Sequence, residues 1–217
     1  MPPPRACENW GTEKPTAVSE KQTGRLEAFS DGIFAVAMTL LTVDLKAPQV
    51  EGPLTAHALA IALARGWPGY FAFLTSFFTV LIMWVHHHAI FRMVRSADVR
   101  LLFSNGVFLM IVTAVPFPTA VVAEYLTTPA ARAAAAFYAG FFVLVAIVFW
   151  VLRAAAFRAA VLDPQASRAR IERLRRNYRW GPPMYLIATA SAWLNPWAAM
   201  GVCTALWIFW AFTTVEC

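Results

Sequence analysis

Long apolar segments dominate this chain and restrict it to folds that cross a membrane. The sequence is 59% hydrophobic and only 14% charged over its 217 residues, whereas soluble domains carry roughly 45–50% apolar and about 25% charged residues. Several apolar runs approach or exceed the roughly 20 residues that a helix needs to cross a bilayer. Because lipid cannot satisfy backbone polar groups, such runs predict an all-α membrane protein.

Six membrane-spanning helices are predicted from these runs. They cover about 26–45, 68–93, 99–125, 131–157, 180–194 and 196–213. A weaker apolar segment at 54–64 is too short to span. The first 22 residues are polar and Pro-rich and predict a disordered cytoplasmic tail, with no sign of a cleavable signal peptide. No insert is large enough for a second folded domain, so 23–217 is expected to form one six-span domain.

The placement of lysine and arginine orients these spans. With the N-terminus inside, 15 of the 18 basic residues fall in inner segments, and only Lys46, Arg65 and Arg132 fall outside. Cytoplasmic segments are enriched in basic residues, so both termini are predicted to be cytoplasmic. The basic inner face, including an amphipathic run at Arg168–Arg179, favours anionic lipid over nucleic acid as its partner.

The first predicted span contains charged residues. Arg25 and Asp31 lie in or beside its apolar run, where a charge costs at least about 2.5–3.5 kcal/mol on insertion scales. A helical wheel at about 100° per residue places Val36 on a face that is apolar from Phe29 outward. That face comprises Phe29, Gly32, Val36, Thr39, Leu40 and Val43, with Arg25 at its inner end. Ser30 and Asp31 lie more than about 100° away from Val36.

Three interpretations of Asp31 remain open on the residues alone. If Asp31 faces a water-filled cavity, the protein is a proton- or cation-coupled secondary transporter. If the face containing Val36 lines the conduit, Asp31 points into the bundle and the pore is hydrophobic. The third interpretation is a hydrogen-bonded carboxylate buried in a packed helix. Possible donors at the same depth are Trp84, His86, His87, His88, Ser104 and Asn105.

Other residue patterns argue against a metal site and against catalysis. His86, His87 and His88 are consecutive, so on a helix they point about 100° apart and do not converge on one ion. The three cysteines form no CxxC pair. There is no nucleophile–base pair, phosphate-binding loop or carboxylate pair, so we expect neither enzymatic activity nor a cofactor.

Three motifs resemble those of a known family. Arg25-x-x-x-Phe29-Ser30-Asp31-Gly32 resembles the signature of the endolysosomal potassium channel family, transmembrane protein one-seventy-five, in its prokaryotic branch. Trp84-x-x-His87 followed by Phe91-Arg92 is similar to that family's second-span pattern, and Pro116-Phe117-Pro118-Thr119 to its third-span ending. The resemblance extends from Arg25 to the end of the sixth span.

This resemblance implies a homotetrameric, potassium-selective leak channel in the inner membrane of a prokaryote. The first helices would line a central pore for K⁺, with a hydrophobic constriction at Val36 and further pore positions at Thr39, Leu40 and Val43. Relatives commonly carry isoleucine or leucine at the constriction, so Val36 implies either a wider pore or a gate at Leu40. A secondary transporter using Asp31 and a non-conducting scaffold remain the alternatives.

The resemblance also implies a network that holds the pore helix against the second and third spans. Its predicted members are Arg25, Phe29, Ser30, Asp31, Trp84, His87 and Asn105.

Overall fold

The computed structural model describes residues 16–50, 52–158, 162 and 168–215. These residues form nine helices. They are α1 (Thr16–Val43), α2 (Ala56–Arg65), α3 (Trp67–Phe91), α4 (Val99–Thr113), α5 (Pro116–Tyr125), α6 (Ala131–Ala156), α7 (Arg168–Tyr178), α8 (Gly181–Leu194) and α9 (Pro196–Val215). The β pairing within the described ranges is an isolated bridge between Val94 and Leu162.

Four helical segments are long and apolar enough to cross a membrane. They are Thr23–Val43, Trp67–Phe91, Val99–Tyr125 and Ala131–Ala156. The 14 residues of α8 extend about 21 Å, which is shorter than the roughly 30 Å hydrocarbon core. The expected multi-pass, all-α membrane fold is therefore confirmed, whereas the predicted fifth and sixth spans stay a prediction.

The structure differs from the sequence prediction at two helix boundaries. Helix α1 begins at Thr16, so 16–22 of the predicted disordered tail are helical, and 1–15 lie outside the described residues. The predicted third span is divided into α4 and α5, because Pro116 and Pro118 lack the N–H groups that would continue the backbone ladder. Val115 keeps right-handed helical dihedrals, so the two helices still form one apolar segment.

The packing of α1 fixes which of its faces enters the core. Ser30, Phe34, Ala37 and Leu41 are fully buried and recur at the spacing of a single helical stripe. This stripe packs against α3 and α4. Helix α6 lies behind them and contacts α4, α5, α8 and α9. The opposite face of α1 is left uncovered in the single chain.

An ion pair fastens the turn between α3 and α4. Asp98 is the N-cap of α4, and its Oδ1 accepts a hydrogen bond from the Leu101 backbone N–H at 2.8 Å. Arg158, just beyond the end of α6, donates from Nη1 to Asp98 Oδ2 at 2.6 Å. The Leu101 hydrogen bond, followed by the Arg158 charge, lowers the pKa of Asp98 from its ordinary value. The carboxylate therefore stabilises the cap in its charged form.

Replacing Asp98 with alanine should lower the apparent Tm by several degrees, because it removes both the cap and the ion pair. Asp98→Asn keeps a capping oxygen and should cost less. Since the folded-state pKa is lowered, this stabilisation is complete above the unfolded value of about 3.9 and disappears as the pH falls through the folded value. Thermal unfolding at neutral and acidic pH measures this, and a wild-type advantage over Asp98→Asn that does not shrink as the pH is lowered below about 3.9 would contradict it.

A candidate pore helix and its bracing network

One face of α1 is apolar and uncovered. Val36 is 51% and Val43 74% exposed, and Phe29 and Leu40 are exposed as well. We call Phe29, Val36, Thr39, Leu40 and Val43 the pore face. The Thr39 hydroxyl donates to the Val36 carbonyl at 2.8 Å, which leaves the lone pairs of its oxygen available. The pore face thus combines apolar side chains with one exposed hydroxyl oxygen per chain.

A chain of buried hydrogen bonds joins the opposite face of α1 to two other helices. Asn105 Nδ2 of α4 donates to Ser30 Oγ at 3.0 Å, and the Ser30 hydroxyl donates to the Leu26 carbonyl at 2.8 Å. His87 Nε2 of α3 pairs with Asn105 Oδ1 at 2.8 Å, and because that oxygen is an acceptor, the imidazole N–H donates. Ser30, His87 and Asn105 are all buried. We call these three residues, together with Asp31 and Trp84, the bracing network.

Aromatic packing fixes the orientation of the His87 ring. The ring stacks on Phe91 with centroids 4.1 Å apart and lies 6.0 Å from the Phe108 ring. Phe34 of α1 meets it edge-on at 5.5 Å. The histidine that hydrogen-bonds Asn105 is therefore also a core residue, and the sequence prediction did not name Phe34 or Phe108 as its neighbours. Phe34 lies one turn after Ser30 on the buried stripe, which is the signal that identifies it.

Asp31 forms a second link between α1 and α3. Trp84 Nε1 donates to Asp31 Oδ1 at 2.8 Å, and the Trp84 ring stacks on His88 with centroids 6.0 Å apart. Asp31 is exposed in the single chain, so the interpretation of Asp31 as a buried carboxylate is not met there. The carboxylate lies on the side of the helix away from Val36. The structure thus brings together five of the seven residues that were predicted to form the network.

The remaining predicted residues have other surroundings. Arg25 and Phe29 are exposed, and Arg25 forms no hydrogen bond or ion pair with any residue that the structure describes. Their role in the network stays a prediction. Ser104 donates to the Arg100 carbonyl of its own helix, and His86 pairs through Nδ1 with the Tyr178 hydroxyl of α7.

Within the described part of the chain, no group of three His, Cys, Asp or Glu residues is placed to hold a metal ion.

Thr119 of the third-span motif belongs to a separate polar cluster. Its hydroxyl lies 2.7 Å from Ser76 Oγ and 2.8 Å from the Val115 carbonyl. The Ser76 hydroxyl lies 2.9 Å from the Tyr138 hydroxyl of α6. This cluster joins α3, α5 and α6 next to the proline-induced break, a contact that the sequence did not predict because Tyr138 belongs to no recognised motif.

Trp84→Phe tests the link to Asp31, because it removes the indole N–H and keeps an aromatic ring beside His88. We expect a loss of about 0.5–1.5 kcal/mol in unfolding free energy, the range for a typical hydrogen bond, because Asp31 is exposed and its charge is screened by solvent. Unfolding in mixed micelles measures this value. Trp193→Phe changes an exposed tryptophan and should have little effect, and an equal loss in both variants would show that the indole N–H of Trp84 contributes nothing specific.

Comparisons with known proteins show which family the chain is similar to. The family model described as Endosomal/lysosomal potassium channel TMEM175 matches residues 25–116. A potassium channel of Chamaesiphon minutus is 46% identical over 198 residues, which cover 90% of this chain and 96% of that protein. A potassium channel of Streptomyces collinus is 37% identical, with 89% of this chain and 94% of that protein covered.

A solved structure shows the same fold. The crystal structure of a lysosomal potassium-selective channel TMEM175 homolog from Chamaesiphon minutus matches with a TM-score of 0.79 at 45% identity, covering 89% of this chain and 98% of that chain. The family match begins at Arg25 and includes the pore face and every member of the bracing network. On this sequence and structural similarity, the chain belongs to the endosomal/lysosomal potassium channel TMEM175 family.

Proposed function

We propose that this protein is a potassium-selective leak channel in which four copies surround a conduit lined by the pore face of α1. The observation that carries the proposal is the division of α1 into two faces. One face is held by the bracing network, and the other presents Val36, Leu40 and Val43 without cover. The bacterial relatives that match nearly the whole chain are named potassium channels, which supports potassium as the permeant ion.

The constriction in this proposal is hydrophobic. Helix α1 is continuous from Thr16 to Val43, so its backbone carbonyls at Val36 are engaged within the helix and cannot replace an ion's water. Four apolar side chains at one level instead gate by dewetting. Potassium sheds hydration water more easily than sodium, so partial dehydration at Val36 favours potassium. The Thr39 oxygens, about one turn farther along, supply polar ligands to the ion as it rehydrates.

The topology in this proposal is the one that the basic residues predict. Six helices cross the inner membrane of a prokaryote, residues 23–217 form one channel domain, and both termini are cytoplasmic. The concentration of basic residues in the inner segments supports this orientation and gives that face anionic lipids as partners. The bracing network holds α1 in register so that the four pore faces meet at one axis. The channel uses no cofactor and catalyses no reaction.

Purified protein in liposomes should dissipate a potassium gradient at rates typical of channels, with slower sodium flux. A voltage-sensitive dye should be used to follow the flux driven by a potassium gradient across the liposome membrane. Single-channel openings should be recorded in planar bilayers. Protein-free liposomes are the control. Slow, saturable exchange would indicate a transporter, and no flux from correctly folded protein would indicate a scaffold, so either result contradicts the proposal.

A further inference from the structure

A cavity lies on the side of the bundle away from the pore face. Its volume is ≈ 70 Å³, and its walls are mostly aromatic and aliphatic side chains of α3, α6, α8 and α9 together with Tyr178 at the end of α7. No residue of α1, α4 or α5 lines it. In a tetramer with α1 at the centre, this cavity is on the periphery, where lipid lies.

Two polar side chains, Trp207 and His86, line this apolar cavity. Trp207 Nε1 is buried and forms no hydrogen bond with any described residue, and an indole N–H can only donate. His86 uses Nδ1 to pair with the Tyr178 hydroxyl. The Trp210 backbone lies beside the His86 ring. An occupant that supplies an oxygen acceptor to Trp207 therefore fits this wall better than a hydrocarbon.

The cavity lies just below the inner surface of the membrane in the proposed orientation. Trp207 precedes the end of α9 by eight residues, and His86 precedes the end of α3 by five. At about 1.5 Å per residue, the two side chains lie roughly 8–12 Å inside the helix ends. The headgroup layer of one leaflet is about 5–7 Å thick. This depth corresponds to the glycerol esters and the first carbons of the acyl chains.

Two arginines flank Tyr178 in the sequence, and Tyr178 lies at the cytoplasmic end of the cavity in the proposed orientation. Tyr178 lines the cavity, and the neighbouring Arg176 and Arg179 are exposed. The Arg179 guanidinium lies 5.2 Å from the Trp180 ring centroid, a ring type that is common at membrane interfaces. Glu172 is the acidic residue of α7 and lies one turn before Arg176. Guanidinium groups bind phosphate oxygens in a bidentate manner, so this rim suits a phosphodiester.

We propose that this cavity and its arginine rim bind one anionic glycerophospholipid of the inner leaflet. The phosphate lies against Arg176 and Arg179, an ester carbonyl accepts the hydrogen bond from Trp207 Nε1, and the upper acyl chain enters the cavity. The proposal rests on the inner orientation of α7 given above, and it does not require potassium permeation. The basic inner face by itself attracts anionic lipids without selecting a position, whereas this proposal places one lipid at a defined site.

Native mass spectrometry of the full-length protein, released from nanodiscs of equal phosphatidylglycerol and phosphatidylcholine, tests the site. The wild-type protein should retain phosphatidylglycerol in preference to phosphatidylcholine. Arg176→Gln with Arg179→Gln should abolish the preference, and Trp207→Phe should lower retention about 2–10-fold, the effect of one hydrogen bond. Arg65→Gln on the predicted outer side and Trp197→Phe, which lies outside the cavity, are matched controls that should leave retention unchanged.

Variants that fill the cavity distinguish lipid binding in the cavity from attraction of lipid to surface charge alone. Ala146→Leu should reduce retention of both lipids. Gly181→Ala is the milder variant, because its Cβ would lie 3.7 Å from the Ala146 Cβ and 3.8 Å from Trp210 Cζ2, which are ordinary contacts. Retention that survives Trp207→Phe and both filling variants would overturn the site, and so would equal binding of soluble glycerol phosphate. A protein that conducts potassium but retains no lipid refutes this site and leaves the channel proposal standing.

Discussion

Replacing Val36 with asparagine should raise potassium flux through the reconstituted protein about tenfold and reduce its discrimination against sodium. The apolar ring resists hydration, and four amide side chains at the same level keep the constriction wet. A barrier lowered by about 1.4 kcal/mol corresponds to a tenfold rate. Flux of potassium and sodium from matched liposomes gives both quantities.

Val151→Asn is the control for this result. Val151 of α6 is 45% exposed, close to the 51% of Val36, and it lies outside the pore face. The substitution should leave flux and selectivity near the wild-type values. Unchanged currents in Val36→Asn, or an equal rise in both variants, would mean that Val36 is not the narrow point and that Leu40 is the next position to test.

Asn105→Leu should nearly abolish flux and destabilise the protein more than any other substitution considered. It leaves the His87 N–H without an acceptor and Ser30 Oγ without a donor, both inside the bundle. A buried polar group that loses its partner costs about 1–3 kcal/mol. The His87 N–H is such a group, whereas Ser30 keeps its bond to the Leu26 carbonyl, so the expected loss is roughly 2–4 kcal/mol. Unfolding in mixed micelles and the oligomer mass in detergent should be measured together with flux.

Two variants separate loss of the network from general damage. Ser104→Ala removes the neighbouring, exposed hydroxyl that bonds only its own helix and should be nearly neutral. In Asn105→Leu, the second change His87→Phe removes the unpaired imidazole and keeps an aromatic ring beside Phe91. It should restore part of the stability, because replacing both partners by apolar groups removes the penalty of the unpaired one. A double variant no more stable than Asn105→Leu would contradict this.

The sequence predicted the faces of α1 but not which donor meets which acceptor. The helical period alone separates Val36 from Ser30 and Asp31, because both faces belong to one regular helix. Six donors were expected at the depth of Asp31, and only packing selects among them. Trp84 and His87 lie three residues apart on α3, so one helix face serves both Asp31 and Asn105. His86 points to α7 instead.

Contacts between segments that are distant in the sequence could not be predicted from local sequence patterns. The Tyr178 hydroxyl reaches His86 across 92 positions of the chain, and no motif or period connects an interfacial helix to a buried histidine. The break before Pro116 shows a different limit. Two prolines made a distortion foreseeable, but the contacts of Thr119 with Ser76 and of Ser76 with Tyr138 beside it were not.

Cysteine modification on α1 tests the pore assignment most directly. Val36→Cys, Val43→Cys and Met38→Cys proteoliposomes should be treated with a bulky cationic thiol reagent, with unsubstituted protein as the control for the native cysteines. We expect potassium flux to stop after modification at positions 36 and 43 and to continue after modification at position 38, because Met38 packs against the core. Continued flux after modification at Val36, together with block by the same reagent in Asp31→Cys, would contradict a pore lined by this face.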